Sequence, residues 1–524
     1  MHPGVTARTH PDRPAVIMAG SGRVVTYAEL DAESNRLAHL LHDAGLRPGD
    51  HIAIALENHP MYLAITWAAQ RSGLIYTPVS CRLQPDELAY VVDNCEARVF
   101  VSSAALAELA GAIRERAPKV ERWLMLDGAA PGFEPYEEAV RRCPTTPLAT
   151  EIEGADMLYS SGTTGRPKGV MPSREDHPLG TGPALTLFHI LGTLYGMNTS
   201  GTGGDVYLCP APLYHAAPLR YCMQFVRGGH TVVVLEHFDP EAALAAIEKY
   251  RATHSQWVPT MFVRMLKLPA EVRDRHDVSS LRYAVHAAAP CPPEVKERML
   301  AWWGPVLHEY YAGTEGNGYV DCTPEEWLAH RGTVGRAILG TVHICDGGGG
   351  ELPVGEDGVV YFADGPQFSY HGDPEKTASG RDPKGRGWTT LGDIGHLDAD
   401  GFLYLTDRQS HLIISGGVNV YPQEVENLLA LHPAIADVAV IGVPDDDMGE
   451  QVKAVVQPAE GVPAGPELAD ALIEHCRAHL AHYKCPRSVD FRDSLPRHPT
   501  GKLYKRVLLD EYRRAASGSV PGSA

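Results

Sequence analysis

Tyr159-Ser-Ser-Gly-Thr-Thr-Gly-Arg-Pro-Lys-Gly169 follows directly on an apolar, strand-like stretch. Its glycines free the backbone to turn amides inward, its Ser and Thr add hydroxyl donors, and Lys168 adds a mobile positive charge. Together Ser160, Ser161, Gly162, Thr163, Thr164 and Lys168 have the makings of a phosphate cradle. It is not a Walker loop, because Pro167 precedes the lysine and Gly169 follows it, where that motif has Gly and then Ser or Thr. Outward from this loop, between residues 24 and about 338, short β-branched runs alternate with amphipathic stretches, the pattern of stacked βαβ units. Thr231-Val-Val-Val-Leu235 reads as a buried strand. Asp239 then caps a helix with Pro240 at its first position and Ala243, Leu244 and Ile247 at helical spacing. The same rhythm recurs through 281–285, 293–302 and 306–311.

From 341 to 407 the texture changes to short strands with Gly and Asp-Gly turns, a small β-rich unit. Beyond Asp407-Arg408 comes a self-contained pattern: a helix at 422–431, a strand at 438–443, a helix at 466–480 and one more apolar stretch. The expected fold class is therefore an α/β large N-terminal lobe of stacked βαβ sheets plus a small β-rich subdomain, followed by a small mobile α+β C-terminal domain. The expected boundaries are 1–408, with 341–407 as the β-rich subdomain, and 409–524.

Composition narrows the function classes. With 44% hydrophobic and 21% charged residues in 524, large buried cores are feasible. Forty-six basic against 65 acidic residues leave a net charge of −19, which repels nucleic acid and anionic membrane. A polyanionic ligand then needs a local nest of donors. The N-terminus lacks a basic start followed by an apolar core, and no run approaches the roughly 18 apolar residues of a membrane helix, so a cytoplasmic protein is expected. Ten scattered cysteines show no Cys-x-x-Cys pair and no zinc spacing, and read as reduced packing residues.

Four further segments carry chemistry: Tyr310-Tyr311-Ala-Gly-Thr314-Glu315, Trp388-Thr-Thr-Leu-Gly-Asp393, the run from Asp407-Arg408 to Glu424, and Pro499-Thr500-Gly501-Lys502. With the loop at 159–169, and in this order along the chain, they resemble the motifs of the adenylate-forming (AMP-binding) superfamily of acyl-CoA synthetases, luciferases and peptide-synthetase adenylation domains. Actinobacterial fatty-acyl-CoA synthetases and coronafacate-type amide ligases are the nearer resemblances. The likeness spans nearly the whole chain.

That resemblance implies roles. Tyr311 stacks near adenine, Thr314 contacts the α-phosphate, and Glu315 holds Mg2+. Asp393 accepts both ribose hydroxyls, for which a carboxylate's two oxygens suit a vicinal diol. Arg408 holds ribose or phosphate, and Lys502 reaches the nascent adenylate. His286-Ala-Ala-Ala-Pro290 occupies the position of the small-residue turn that packs on adenine, which places Ala288 there. Pro212-Leu-Tyr-His215 and Ser255-Gln-Trp257-Val-Pro-Thr-Met261 resemble segments lining the acid pocket. His215 either gates that pocket or orients the carboxylate, or is a packing histidine; Trp257 and Met261 serve equally as core. His411, Gly416 and Gly417 fall in the hinge and along the CoA channel, and Ser410-His411 departs from the Lys-Asp of many relatives.

The implied reaction uses ATP and Mg2+ to turn a small-molecule carboxylic acid into an acyl-adenylate, then passes the acyl group to CoA. The alternative acceptor is an amine, in which case CoA is not used. No Gly-x-Ser-x-Gly elbow or nucleophilic triad is visible, which points to an external acceptor. Neither the identity of the acid nor the oligomeric state is legible.

Overall fold

Side-chain and backbone placement is described in the computed structural model for residues 1–160, 167–171, 175–408, 412–415, 418–445, 448–497 and 503–516, without the side chains of 184, 407, 408, 419, 515 and 516. Contacts divide the chain into two units, one of Met1–Gln256, Pro269–Ala284 and Gln367–Ala378, the other of Trp257–Leu268, Val285–Pro366 and Ser379–Ala524.

In the first unit, β1 (Pro14–Met18) pairs antiparallel with β2 (Val24–Thr26). β3 (His51–Ala55), β4 (Ile75–Pro78), β5 (Ala97–Ser103) and β6 (Arg122–Leu126) form a parallel sheet in the order β6-β5-β3-β4. Ile52, Ala53, Ile54 and Ala55 are all buried, a continuous apolar run rather than an alternating one, as a parallel strand covered on both faces requires. Phe100, Trp123 and Phe133 pack in one cluster on this sheet, Trp123 edge to face with Phe133 and tilted against Phe100. β7 (Leu158–Ser160) and β8 (Lys168–Met171) run antiparallel, and β8 is flanked on its other edge by Ser369–Tyr370. β9 (Val206–Cys209), α1 (Ala216–Arg227), β10 (Thr231–Val234), α2 (Pro240–Tyr250) and β11 (His254–Trp257) complete a second parallel set, with β1 joined to β10, β10 to β9, and β9 to β11. The cap expected at Asp239 is present, its carboxylate accepting from the Ala242 amide at 2.8 Å.

β12 (Tyr283–His286) carries the chain into the second unit. There α3 (Pro293–Trp303) precedes β13 (Leu307–Tyr311), which turns back into antiparallel β14 (Tyr319–Cys322). The stretch expected to be β-rich is a four-stranded antiparallel sheet of β15 (Thr341–Cys345), β16 (Gly358–Ala363), β17 (Thr389–Leu397) and β18 (Leu403–Arg408). Its Gly-rich turn is held by Asp346, which accepts from the amides of Gly348 and Gly350 at 2.8 and 2.7 Å.

Towards the C-terminus come β19 (Ile413–Ser415), β20 (Val418–Val420), α4 (Pro422–Leu429), β21 (Ile435–Asp445), β22 (Gly449–Pro458), α5 (Pro466–His479), β23 (Ser488–Phe491) and α6 (Lys505–Ala516). β21 and β22 are longer than the apolar run at 438–443 suggests, because their ends alternate polar and buried residues. The fold is the mixed α/β architecture expected, a large N-terminal region followed by a small α+β one. Seven of the ten cysteines are buried in packing. Among the described residues no helix is long and apolar enough to cross a membrane.

Glu426 on α4 ties the C-terminal elements together: its carboxylate accepts from the Val440 amide at 2.7 Å and from the buried Lys505 ammonium on α6 at 2.9 Å. Glu426→Ala leaves that ammonium buried and unpaired, at a cost of about 3 kcal/mol. The urea midpoint of unfolding is expected to fall accordingly, and an unchanged midpoint would contradict this role.

Candidate active site

The first unit carries the beginning of the phosphate-loop segment. Ser160 ends β7, and its Cα partner across the hairpin is Lys168 at the start of β8. The Lys168 ammonium lies 5.9 Å from the ring centre of Tyr370, a cation held near an aromatic face. Tyr159 donates to Asn94 Oδ1 at 2.6 Å, which pins the strand leading into the loop. Ser161, Gly162, Thr163 and Thr164 lie outside the described residues. His215 stands at the N-cap of α1 with its ring 4.5 Å from that of Tyr214 in a T-shaped contact.

The second unit holds the other motifs. β13 ends at Tyr311, and the half-buried Thr314 and Glu315 follow within one turn. A Cβ at Gly313 would press on the Leu391 side chain and lie 2.9 Å from Glu315 Oε2, so a larger residue there would displace those side-chain ends. Tyr311 donates its hydroxyl to Asp393 Oδ2 at 2.6 Å. The two residues are 82 apart in the chain, one at the end of β13 and one within β17, and sequence order alone does not foretell the bond. Asp393 is 6% exposed. A carboxylate offers about four lone-pair sites, of which the Tyr311 hydroxyl takes one. Arg408, at the end of β18, is the antiparallel Cα partner of Asp393; its side chain is outside the described residues.

Ala288 lies just past β12 with φ of +76°, a left-handed conformation that a non-glycine residue rarely adopts. It is exposed, and its Cβ is the smallest that an L-residue can present. Backbone strain of this kind concentrates where a ligand is clamped. Nothing in the His-Ala-Ala-Ala-Pro string announces it, because no glycine marks the position. Trp257 is buried at 1% exposure and packs edge-on to Trp303 and near Phe262, and Met261 is 4% exposed, so both are core residues here. His411, Gly416, Gly417 and Lys502 lie outside the described residues.

Glu315 is a hard oxygen donor at a strand end, the donor chemistry that Mg2+ takes alongside nucleotide phosphates. Among the described residues His330, Asp398 and Asp400 also come together. Asp398 is already committed to the amides of Asp400 and Phe402 and to His330 Nδ1, the last at 3.0 Å, which makes it a turn brace.

Residues 5–369 match the family described as AMP-binding enzyme, and residues 424–502 match the AMP-binding enzyme C-terminal domain. A feruloyl-CoA synthase from an Amycolatopsis species is 35% identical over 516 residues, covering 95% of this chain and 96% of that protein. The long-chain-fatty-acid–CoA ligase FadD13 of Mycobacterium tuberculosis is 31% identical over 526 residues, covering 98% of each. Among solved structures, the amide bond synthetase McbA from Marinactinospora thermotolerans superposes with a TM-score of 0.78 at 30% identity, covering 97% of this chain and 99% of that one.

Proposed function

Since the chain belongs to the AMP-binding enzyme family, we propose that it is an AMP-forming acid ligase that makes an acyl-adenylate from ATP and a carboxylic acid and transfers the acyl group to CoA. The observation that carries this reading is the 2.6 Å bond between Tyr311 and Asp393. It brings two separate motifs to one corner, an aromatic face for adenine beside a carboxylate for the ribose diol. The likeness to a feruloyl-CoA synthase and a fatty-acid–CoA ligase supports the thioester product. A lobe boundary at 408/409 would put Lys502 on the smaller, C-terminal lobe.

A carboxylate is anionic and lacks a good leaving group, so attack on it at neutral pH is slow. In the first step its oxygen attacks the α-phosphorus, an O–P bond forms, and the bond to pyrophosphate breaks in line. Lys168, the amides of 160–165 and Lys502 are placed in the sequence to neutralise charge that grows on the phosphoryl oxygens. Thr314 would donate to the α-phosphate. Glu315 would hold Mg2+, which supplies Lewis-acid charge to the phosphates when bound. Asp393 and Tyr311 orient the nucleoside. In the second step an external nucleophile attacks the acyl carbon, AMP leaves, and the nucleophile's proton passes to solvent. A pantetheine thiol gives a thioester.

The amide bond synthetase likeness favours a second reading of that step alone, with an amine in place of the thiol. One experiment covers both: a panel of fatty, aryl and alicyclic acids assayed for pyrophosphate release with CoA, with an amine, and with neither. The expected result is acid-dependent release with a CoA thioester as product. Amide without thioester would move the assignment to the second reading, and no acid-dependent pyrophosphate release from any member of the panel would remove both.

A further inference from the structure

The steps above make no use of a charged pair sealed inside the second unit. Lys296 on α3 is 0% exposed, and its ammonium donates to Glu309 Oε2 at 2.6 Å. The same ammonium lies 5.1 Å from the ring centre of Trp327. His286 Nε2 stands 3.5 Å from that carboxylate oxygen, and neither of its ring nitrogens has a hydrogen-bond partner. Burial, reinforced by Lys296 and His308, holds the His286 imidazole neutral. Burial also pushes the Glu309 carboxyl up, while Lys296 pulls it back. The neighbouring His308 is itself lowered to about 4, again chiefly by burial.

Taking an ammonium and a carboxylate out of water is costly, and apolar residues of similar volume often serve stability as well or better. Stability is thus a poor account of the pair. Position is a better one. Glu309 lies on β13 two residues before Tyr311, so both project from one face of the strand. His286 ends β12 two residues before Ala288. One helix, through Lys296, thus grips β13 by a directional bond just where it delivers Tyr311, Thr314 and Glu315, and sits beside the strand that delivers Ala288. An apolar contact could slide along the helix surface; a charge-assisted bond to one oxygen has a set length and direction.

We propose that the Lys296–Glu309 pair is a positioning device for the nucleotide site, setting where β13 ends and so where Tyr311 and the Thr314-Glu315 turn meet ATP. This rests on the reading of those residues as nucleotide ligands. The test is the double variant Lys296→Met/Glu309→Met in the full chain, which removes both charges and leaves neither orphaned. Its melting temperature is expected to match or exceed that of the wild type, while KM for ATP in pyrophosphate exchange rises about tenfold and KM for the acid stays within about twofold. A purely structural role would lower the fraction of active enzyme, and hence kcat, without moving KM for ATP. A double variant with wild-type KM for ATP overturns the proposal. If that variant does not accumulate as folded protein, Glu309→Gln decides instead: KM for ATP raised about threefold or more supports the pair, and an unchanged value refutes it. Should the wild type exchange pyrophosphate with no acid, the functional reading falls by itself, and calorimetric ATP affinity of the same variants still decides the role of the pair.

Discussion

Lys502→Ala is expected to abolish acid-dependent ATP–pyrophosphate exchange while largely sparing thioester formation from a presynthesised acyl-adenylate. The effect is electrostatic. When the carboxylate oxygen meets the α-phosphorus, negative charge accumulates on a group that is already anionic, and a cation aimed there acts on the transition state more than on bound ATP. Removing one such preorganised donor costs about 100-fold to 1,000-fold in rate. The second step places charge elsewhere, on the acyl carbonyl and the departing AMP, so the same lysine is not needed for it. Pro499-Thr500-Gly501-Lys502 opens the way into α6, which the buried Lys505–Glu426 bond ties to α4. Measuring both half-reactions separately is the check, and equal loss of the two would contradict the assignment.

The fold was largely legible because its signals are local. The Asp239-Pro240 cap, the β-branched run of β10 and the Asp-Gly turns of the four-stranded sheet each report on a few neighbouring residues, and the structure places the elements within a residue or two of those signals. The motifs behind the proposed nucleotide site are strings of neighbouring residues too. What escaped depends on pairings made by the fold. The Tyr311–Asp393 bond joins residues 82 apart on strands of different sheets. Lys296 reads in sequence as one more charge on an amphipathic helix, and only its burial beside Glu309 separates it from a solvated lysine. The left-handed backbone at Ala288 gives no sign either, since the residue that usually marks that conformation is glycine. The acid itself stays unread on the same ground, because its pocket is assembled from side chains distant in the chain.

Asp393→Ala is expected to weaken ATP binding by about 100-fold, from the loss of two hydrogen bonds to a charged acceptor at about 1.5 kcal/mol each or somewhat more. Acid affinity should change little, because the proposed ribose role confines this carboxylate to the nucleoside. Asp393 accepts from Tyr311 at 2.6 Å, so its removal also releases the tyrosine hydroxyl from its tether. Tyr311→Phe isolates that contribution: it keeps the aromatic face and the Asp393 carboxylate, and the expected loss in ATP affinity is about tenfold or less, because the bond it removes lies within the protein and only positions the ring. If the two variants weaken ATP equally, the carboxylate acts only by holding the ring in place, and the ribose role is wrong. If Asp393→Ala leaves calorimetric ATP affinity unchanged, the corner formed by β13 and β17 is not the nucleoside site. A hundredfold against at most tenfold is the ordering that a carboxylate shared between one tyrosine and a vicinal diol demands.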